Sequence, residues 1–442
     1  MPAYRPLIVY VASATPALPG ARAPGGPVPP DRLLGVQPVM NKARRNALLR
    51  ASAVSVAVAA LAAGCSSSTS SSTSAASSSS VVAASGSDLL IGTIGNFSGP
   101  SAEPEHLAGL QAWVDSVNAS GGIKGHQIKL VVEDDQGDAT TSQADIRQLV
   151  QVDHVLAVVS PEDSGTESGW ASYVQQQHVA VVGGEDDTSV WFTNPSFFPS
   201  AATVLTSLEM QAYAVKAAGK TSFGAVYCAE EAVCKQVLPA LQGYGKALGL
   251  DMSTSAAIAV SAPSYTAQCL AARQAGAQAL IIDASYAAGS RFAPACAQQG
   301  YSPVYVIPSG AFDNSYLQLS QMNGAYVPTT NALWFASTPA VDQFKQAMAK
   351  YEPSTTLGPN AMSGWSGGAL FGAAAALLPA KATAADVFTA LYSLPKNDTL
   401  NGLTPPLNFH SGAPASQVTC FFLAQIKNGA LTAPKGTAPV CP

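Results

Sequence analysis

Leu89-Leu90-Ile91-Gly92-Thr93-Ile94 is an unbroken apolar run that opens the body of the chain. A run of this kind suits a strand covered on both faces. Just downstream, Leu107, Leu110, Val114 and Val117 recur at helical spacing, and Gly121-Gly122 ends the helix. Residues 127–132 read as the next strand, and Ile146, Leu149 and Val150 mark the next helix. Residues 155–159 and 179–182 read as the third and fourth strands. Strands alternating with helices in this way are the signature of a parallel sheet with helices on both faces.

The pattern then restarts. A helix is expected over 205–218 and a strand over 223–227. A helix over 231–248, kinked at Pro239, leads to a strand at 256–260. A helix at 264–274, a strand at 279–283, a helix at 287–299 and a strand at 304–307 follow. From 332 onward the chain reads as mostly helical, over 339–351, 362–378 and 383–394, before a last apolar strand at 418–426. Two successive α/β blocks in 442 residues imply two doubly wound lobes.

The first 87 residues have another character. Lys42, Arg44, Arg45 and Arg50 precede an apolar run over 51–63, the layout of a secretory signal. The run is shorter than the roughly 20 residues a membrane span needs. It ends in Leu61-Ala62-Ala63-Gly64-Cys65, similar to a lipobox in which Cys65 is lipidated and becomes the mature N-terminus. The alternative is an ordinary cleaved signal with Cys65 incidental. Residues 1–39, rich in Pro, Ala and Gly, are read as an extension, either disordered or upstream of a start at Met40. The Ser/Thr/Ala tract over 65–87 cannot bury a core and reads as a flexible tether.

The formal charge of −5 is unevenly spread. Residues 1–64 hold seven of the 22 Lys/Arg and one of the 27 Asp/Glu, which leaves 15 against 26 and a mature charge near −11. An acidic body argues against nucleic-acid binding, which depends on neutralising phosphates.

Six of the seven cysteines follow Cys65. An even number in an exported chain suggests disulfides, and chain order suggests Cys228–Cys234, Cys269–Cys296 and Cys420–Cys441. Each would add about 2–4 kcal/mol. Sequence alone leaves the pairing open.

Three linked motifs carry a family likeness. Ile91-Gly92-Thr93-Ile94-Gly95-Asn96-Phe97-Ser98-Gly99-Pro100 resembles the opening strand and Ser-Gly-Pro turn of the leucine/isoleucine/valine-binding proteins. Asn118-Ala119-Ser120-Gly121-Gly122-Ile123-Lys124-Gly125-His126 resembles their helix end and turn, and Val131-Val132-Glu133-Asp134-Asp135-Gln136-Gly137-Asp138 their second strand and acidic turn. These are type I periplasmic binding proteins, substrate-binding components of ABC transporters. The resemblance implies an α/β fold of two doubly wound parallel-sheet lobes joined by three crossover strands, with a ligand cleft between them. Lobe I would comprise 88–199 plus 332–404, and lobe II 200–331 plus 405–442. It implies a monomeric extracytoplasmic protein, anchored to the outer face of the cytoplasmic membrane through Cys65. Its partners would be a small-molecule solute and an ABC permease, and it would need no cofactor. The alternative is a binding protein that senses a ligand and regulates a partner.

Ligands of open α/β sheets sit at the carboxyl ends of strands. By the resemblance, lobe I would hold the solute through Asp163, Ser164 and Thr166 after the third strand and through Glu185 and Asp187 after the fourth, with Ser164 the leading candidate. Lobe II would offer Ser285, Tyr286 and Ser309, with Tyr227 and the Cys228–Cys234 loop as further candidates. Glu185, Asp186 and Asp187 depart from the Ala/Ser/Thr-rich loop of amino-acid binders and would repel a ligand carboxylate. They favour a cationic or polyhydroxylated solute, unless they face solvent.

Rival chemistry is weaker. Gly364-Trp365-Ser366-Gly367-Gly368 fits a nucleophile elbow, but residues 357–360 before it read as a loop, not the strand an elbow requires. Asp134, Gln136, Asp138 and Asp145 have loose calcium-loop spacing without the required glycine. His106, His126, His154, His178 and His410 are scattered and form no metal motif.

Overall fold

A computed structural model describes residues 86–99, 102–162, 165–184, 188–230 and 232–442. The expected signal, Cys65 and the expected tether up to residue 85 lie outside the described residues; its last two residues, Gly86 and Ser87, are instead bonded to the body, Gly86 donating its N–H to Gly125 O at 2.8 Å and Ser87 its hydroxyl to Ala380 O at 3.3 Å.

The first sheet is built from β1 (Leu89–Gly95), β2 (Ile128–Asp134), β3 (Ala157–Val159), β4 (Ala180–Val182) and β5 (Phe197–Phe198). Its order is β2-β1-β3-β4-β5, every pair parallel. Along β1, Leu89 and Ile91 join one buried cluster and Ile94 another, as expected for a strand covered on both faces. Helix α1 (Pro104–Ala119) lies on one side; α2 (Ala139–Arg147) and α3 (Glu167–Gln177) supply Ile146, Trp170 and Val174 to the other. Local chemistry sets the helix ends. Pro104 stands in the first turn of α1. Gly122, at φ +78°, donates its N–H to Val117 O beyond the helix end. The Asp138 carboxylate accepts from the N–H groups of Thr140 and Thr141 and caps α2.

From β5 the chain passes into α4 (Val204–Ala217) and builds a second sheet. Its strands are β6 (Ser222–Cys228), β7 (Asp251–Ile258), β8 (Ala279–Asp283), β9 (Val304–Val306) and β10 (Tyr326–Thr329). Between them run α5 (Ala232–Gln236), α6 (Leu238–Ala247), α7 (Thr266–Gln274) and α8 (Tyr286–Gln298). The chain then returns to the first sheet with α9 (Pro339–Tyr351), α10 (Pro359–Ala375) and α11 (Ala384–Tyr392). It ends in the second sheet with β11 (Phe422–Lys427) and β12 (Ala430–Thr432). The order there is β12-β11-β10-β9-β8-β6-β7; β7 through β10 are parallel, and β11 and β12 antiparallel. Two parallel-sheet lobes with three chain passages between them are the fold expected from the sequence.

Several elements differ from expectation for identifiable reasons. The expected helix over 231–248 is two helices, α5 and α6, that break at Val237, because Pro239 lacks an N–H and its ring obstructs the carbonyl four residues back. Strand β7 starts at Asp251 instead of 256, since its Met252-Ser253-Thr254-Ser255 stretch is an edge strand whose polar residues mask the pattern. Strand β11 starts at Phe422, four residues late. Strands β5, β10 and β12 and helix α3 had no periodic signal; β5 has two residues, and α3 buries only Glu167, Trp170, Ala171 and Val174.

Three disulfides form, Cys228–Cys234, Cys269–Cys296 and Cys420–Cys441. Cys269 and Cys296 are fully buried and join α7 to α8 on one face of the second sheet.

Candidate functional site

The carboxyl edge of the first sheet is tightly organised. Past β1, the Asp134 carboxylate accepts from the N–H groups of Phe97 (3.1 Å) and Ser98 (3.2 Å) and from the Ser98 hydroxyl (2.5 Å). It thereby ties the Ser-Gly turn to the acidic turn after β2. Glu162, fully buried, accepts from the N–H of Asn96 at 2.8 Å. Gly95 permits this approach, since a Cβ there would lie 2.1 Å from Glu162 O.

Ser160 follows β3 with φ +52°, a left-handed conformation unusual outside glycine. It is held from three sides. Its Oγ lies 2.9 Å from His106 Nε2 on α1 and donates to Gly364 O on α10 at 3.2 Å, and Thr93 Oγ1 donates to its carbonyl at 3.0 Å. Helix α10 reaches this edge through glycine. A Cβ at Gly367 would lie 2.4 Å from Ser160 Oγ, and one at Gly183, just past β4, 2.3 Å from Gly367 Cα. The glycine face of α10 therefore floors the ends of β3 and β4. Burial holds the His106 imidazole pKa down at about 4, only partly offset by its bond to Ser160, so the ring is neutral at pH 7.

Of the residues singled out in lobe I, Thr166 is described. It precedes α3, half-buried, with its hydroxyl 2.8 Å from Ser142 Oγ and 3.2 Å from Asp135 Oδ2. Thr188, next in the fourth-strand loop, donates to Glu167 Oε1 at 2.5 Å. Asp163, Ser164, Glu185 and Asp187 lie outside the described residues. The surrounding field is acidic. Asp145 is held above its ordinary pKa by burial and then by Asp135 and Asp134, and Glu133 by burial and then by Asp145 and Asp153.

In the second sheet, β8 and β9 are neighbours, so their following loops are brought together. Ser285 is exposed at the N-cap of α8 without a side-chain cap bond. Tyr286, half-buried, sets its ring edge-on to Tyr316 at 4.8 Å. Ser309, half-buried, opens a single 3-10 turn over Ser309–Ala311. Beyond it Phe312 packs on Trp334 at 5.2 Å. The Asn314 amide donates to Leu357 O at 2.8 Å, just before α10. Tyr227 ends β6, beside the Cys228–Cys234 staple.

Sequence reading places Ser160 and Glu162 in the candidate loop after the third strand without giving them a role, and it gives none to Asn96 or His106. Their partners are distant in sequence, 54 residues for His106 and Ser160, so position after a strand is the one local signal available. Ser366 lies inside α10, buried, its Oγ without a partner among the described residues; a helix interior is no nucleophile elbow. Trp365 is a core residue, edge-on to Phe344 at 5.7 Å. Among the described residues no group of three or more His, Cys, Asp or Glu could hold a metal ion, and no helix is long and apolar enough to cross a membrane.

This frame agrees with comparisons to known proteins. The periplasmic binding protein family profile matches residues 89–430, and the chain belongs to that family, in its leucine/isoleucine/valine-binding-protein-like, type I branch. Its members bind substrates and are not enzymes. No curated protein matches the sequence. Among solved structures, a substrate-binding periplasmic protein from Ralstonia solanacearum is similar at 21% identity, over 78% of this chain and 100% of that one, with TM-score 0.66. A branched-chain amino acid ABC transporter protein from Thermus thermophilus with bound valine is similar at 13% identity, over 80% and 97%, with TM-score 0.69. A solute-binding protein of an ABC transporter from R. palustris, in complex with benzoate, is similar at 15% identity, over 80% and 98%, with TM-score 0.62. The chain is thus a periplasmic solute-binding protein of this family.

Proposed function

We propose that the chain is a lipoprotein, anchored through Cys65, that captures a small polar solute by cleft closure and delivers it to an ABC permease. The solute is an amino acid or a related compound. Residues 88–199 and 332–404 form one lobe, and 200–331 and 405–442 the other. Asp163, Ser164, Thr166, Glu185 and Asp187 meet the solute from the first lobe, and Ser285, Tyr286 and Ser309 from the second. The observation that supports this reading is the pair of parallel sheets, each with loops and helix starts at its carboxyl edge, joined by three chain passages. A solute touching both edges favours the closed form, because only that form makes both sets of contacts.

One observation favours a finer reading. The loop after β4 carries Glu185-Asp186-Asp187, and the turn after β2 adds Asp134, Asp135 and Asp138. Carboxylates around a cleft attract an ammonium group and oppose a carboxylate. The preferred solute is accordingly cationic or polyhydroxylated.

A thermal-shift screen of amino acids, amides, polyamines and sugars tests both readings. A solute at 100 times its dissociation constant stabilises the fold by about 2.7 kcal/mol. Ser164→Ala is expected to abolish that shift. An unchanged shift removes Ser164 from the site, and a panel without any hit rejects the solute class.

A further inference from the structure

Among the hydrogen bonds that tie the three passages to one another, one is made by the side chain of Asn331. Asn331, buried just past β10, donates from Nδ2 to Ser200 O on the passage after β5, at 2.9 Å. Its backbone is fixed by Thr329, whose hydroxyl donates to Asn331 O at 2.7 Å. The next residue, Ala332, donates its N–H to Leu403 O on the third passage at 3.0 Å. Asn331 thus stands where all three passages meet.

The passages also carry three hydroxyls of the opposite character. Ser200, Thr203 and Thr404 are all buried to within one percent, on the first and third passages. Their oxygens have no hydrogen-bond partner among the described residues. A buried hydroxyl without a partner disfavours the arrangement that isolates it. Tyr173, Tyr305, Tyr316 and Ser366 carry such hydroxyls within the lobes; those of Ser200, Thr203 and Thr404 are set apart because the chain turns there from one sheet to the other, so a change in the passages changes their surroundings.

We infer that Asn331 is a positioning residue for closure. Its bond to Ser200 favours the arrangement described here, while the Ser200, Thr203 and Thr404 hydroxyls favour a second arrangement that gives them partners. Solute affinity is then set partly by residues that never touch the solute, because an affinity includes the population of the competent form. The inference rests on the two-lobe closing reading above.

The test needs no solute. Spin labels carried on p-acetylphenylalanine at Val132 and Val260 leave the cysteines untouched. Both positions are exposed, at 37% and 42%, one on the outer strand β2 of the first sheet and the other just past the outer strand β7 of the second. Pulsed dipolar spectroscopy on the full chain reads the distance between them. The wild type should show two distances. Thr404→Val keeps the shape and deletes the hydroxyl; it should enrich the present arrangement at least about five-fold, with Thr404→Ser restoring the wild-type ratio. Asn331→Leu should enrich the other distance. Opposite shifts set positioning apart from simple destabilisation, which would move both variants the same way. Should Asn331→Leu fail to fold, the Thr404→Val ratio decides alone. Two wild-type distances with an unchanged ratio in the variants overturn the role of Asn331 and leave closure standing. A single distance in the wild type overturns both.

Discussion

Replacing Gly364 by valine is expected to lower the thermal midpoint by about 5–10 °C. Helices α1 and α10 cross in near backbone contact. A Cβ at Gly364 would lie 1.9 Å from His106 O and 3.1 Å from Leu110 N, and one at Gly109 would lie 2.0 Å from Ala361 O. All of these neighbours are backbone, so no side chain can rotate away, and the helices must separate. Overpacking usually costs about 1–3 kcal/mol, and a branched side chain against two helix backbones is expected to reach about 3–5. The damage would spread to the proposed solute edge. Gly364 O accepts from Ser160 Oγ, and Gly367 one turn on lies against the same hydroxyl. Differential scanning calorimetry of Gly364→Val against wild type measures the effect. A midpoint within about 2 °C of wild type would show that the helices are not held this close.

The second large effect is acid sensitivity through His106. Its folded pKa of about 4 lies below the ordinary 6.5 because burial disfavours the charged ring. Above pH 6.5 both states hold the ring neutral, and the contribution to stability is complete. As pH falls from 6.5 toward 4, the unfolded chain takes up a proton that the fold refuses, so stability declines. The loss approaches about 3 kcal/mol at pH 4, taking 1.36 kcal/mol per unit. Other groups titrate in the same window; Glu133 and Asp145, held above their ordinary values, gain stability as pH falls. The informative quantity is therefore the difference between wild type and His106→Gln in urea unfolding at pH 7 and pH 4. A slope with pH that is the same in both proteins would contradict this account.

How much of this was legible in the sequence depended on the range of the interaction. The β1–α1–β2 unit was plain, since Ile91 and Ile94 and the Leu107–Leu110–Val114 stripe carry their periods locally. The proposed contacts from the second sheet rest on position alone, because Ser285, Tyr286 and Ser309 directly follow readable strands. The passages had no pattern of their own, as β5 is two residues long and β10 four, and only the family resemblance gave their places. Gly364-Trp365-Ser366-Gly367-Gly368 read as a rival catalytic motif, yet its glycines at i, i+3 and i+4 form one helix face that meets His106 O, Ser160 and Trp113. The same spacing inside an apolar helix is a packing signal, and it locates the floor of the strand-end edge. Asn331 gave no local sign, as its partner Ser200 is 131 residues away.

The most direct measurement of the central claim is small-angle X-ray scattering with and without the solute that the thermal screen identifies. Two parallel-sheet units that swing together around a guest predict a smaller radius of gyration at saturation, reached at the same concentration as the thermal shift. A solute that binds and stabilises the protein while the radius of gyration stays fixed would contradict it.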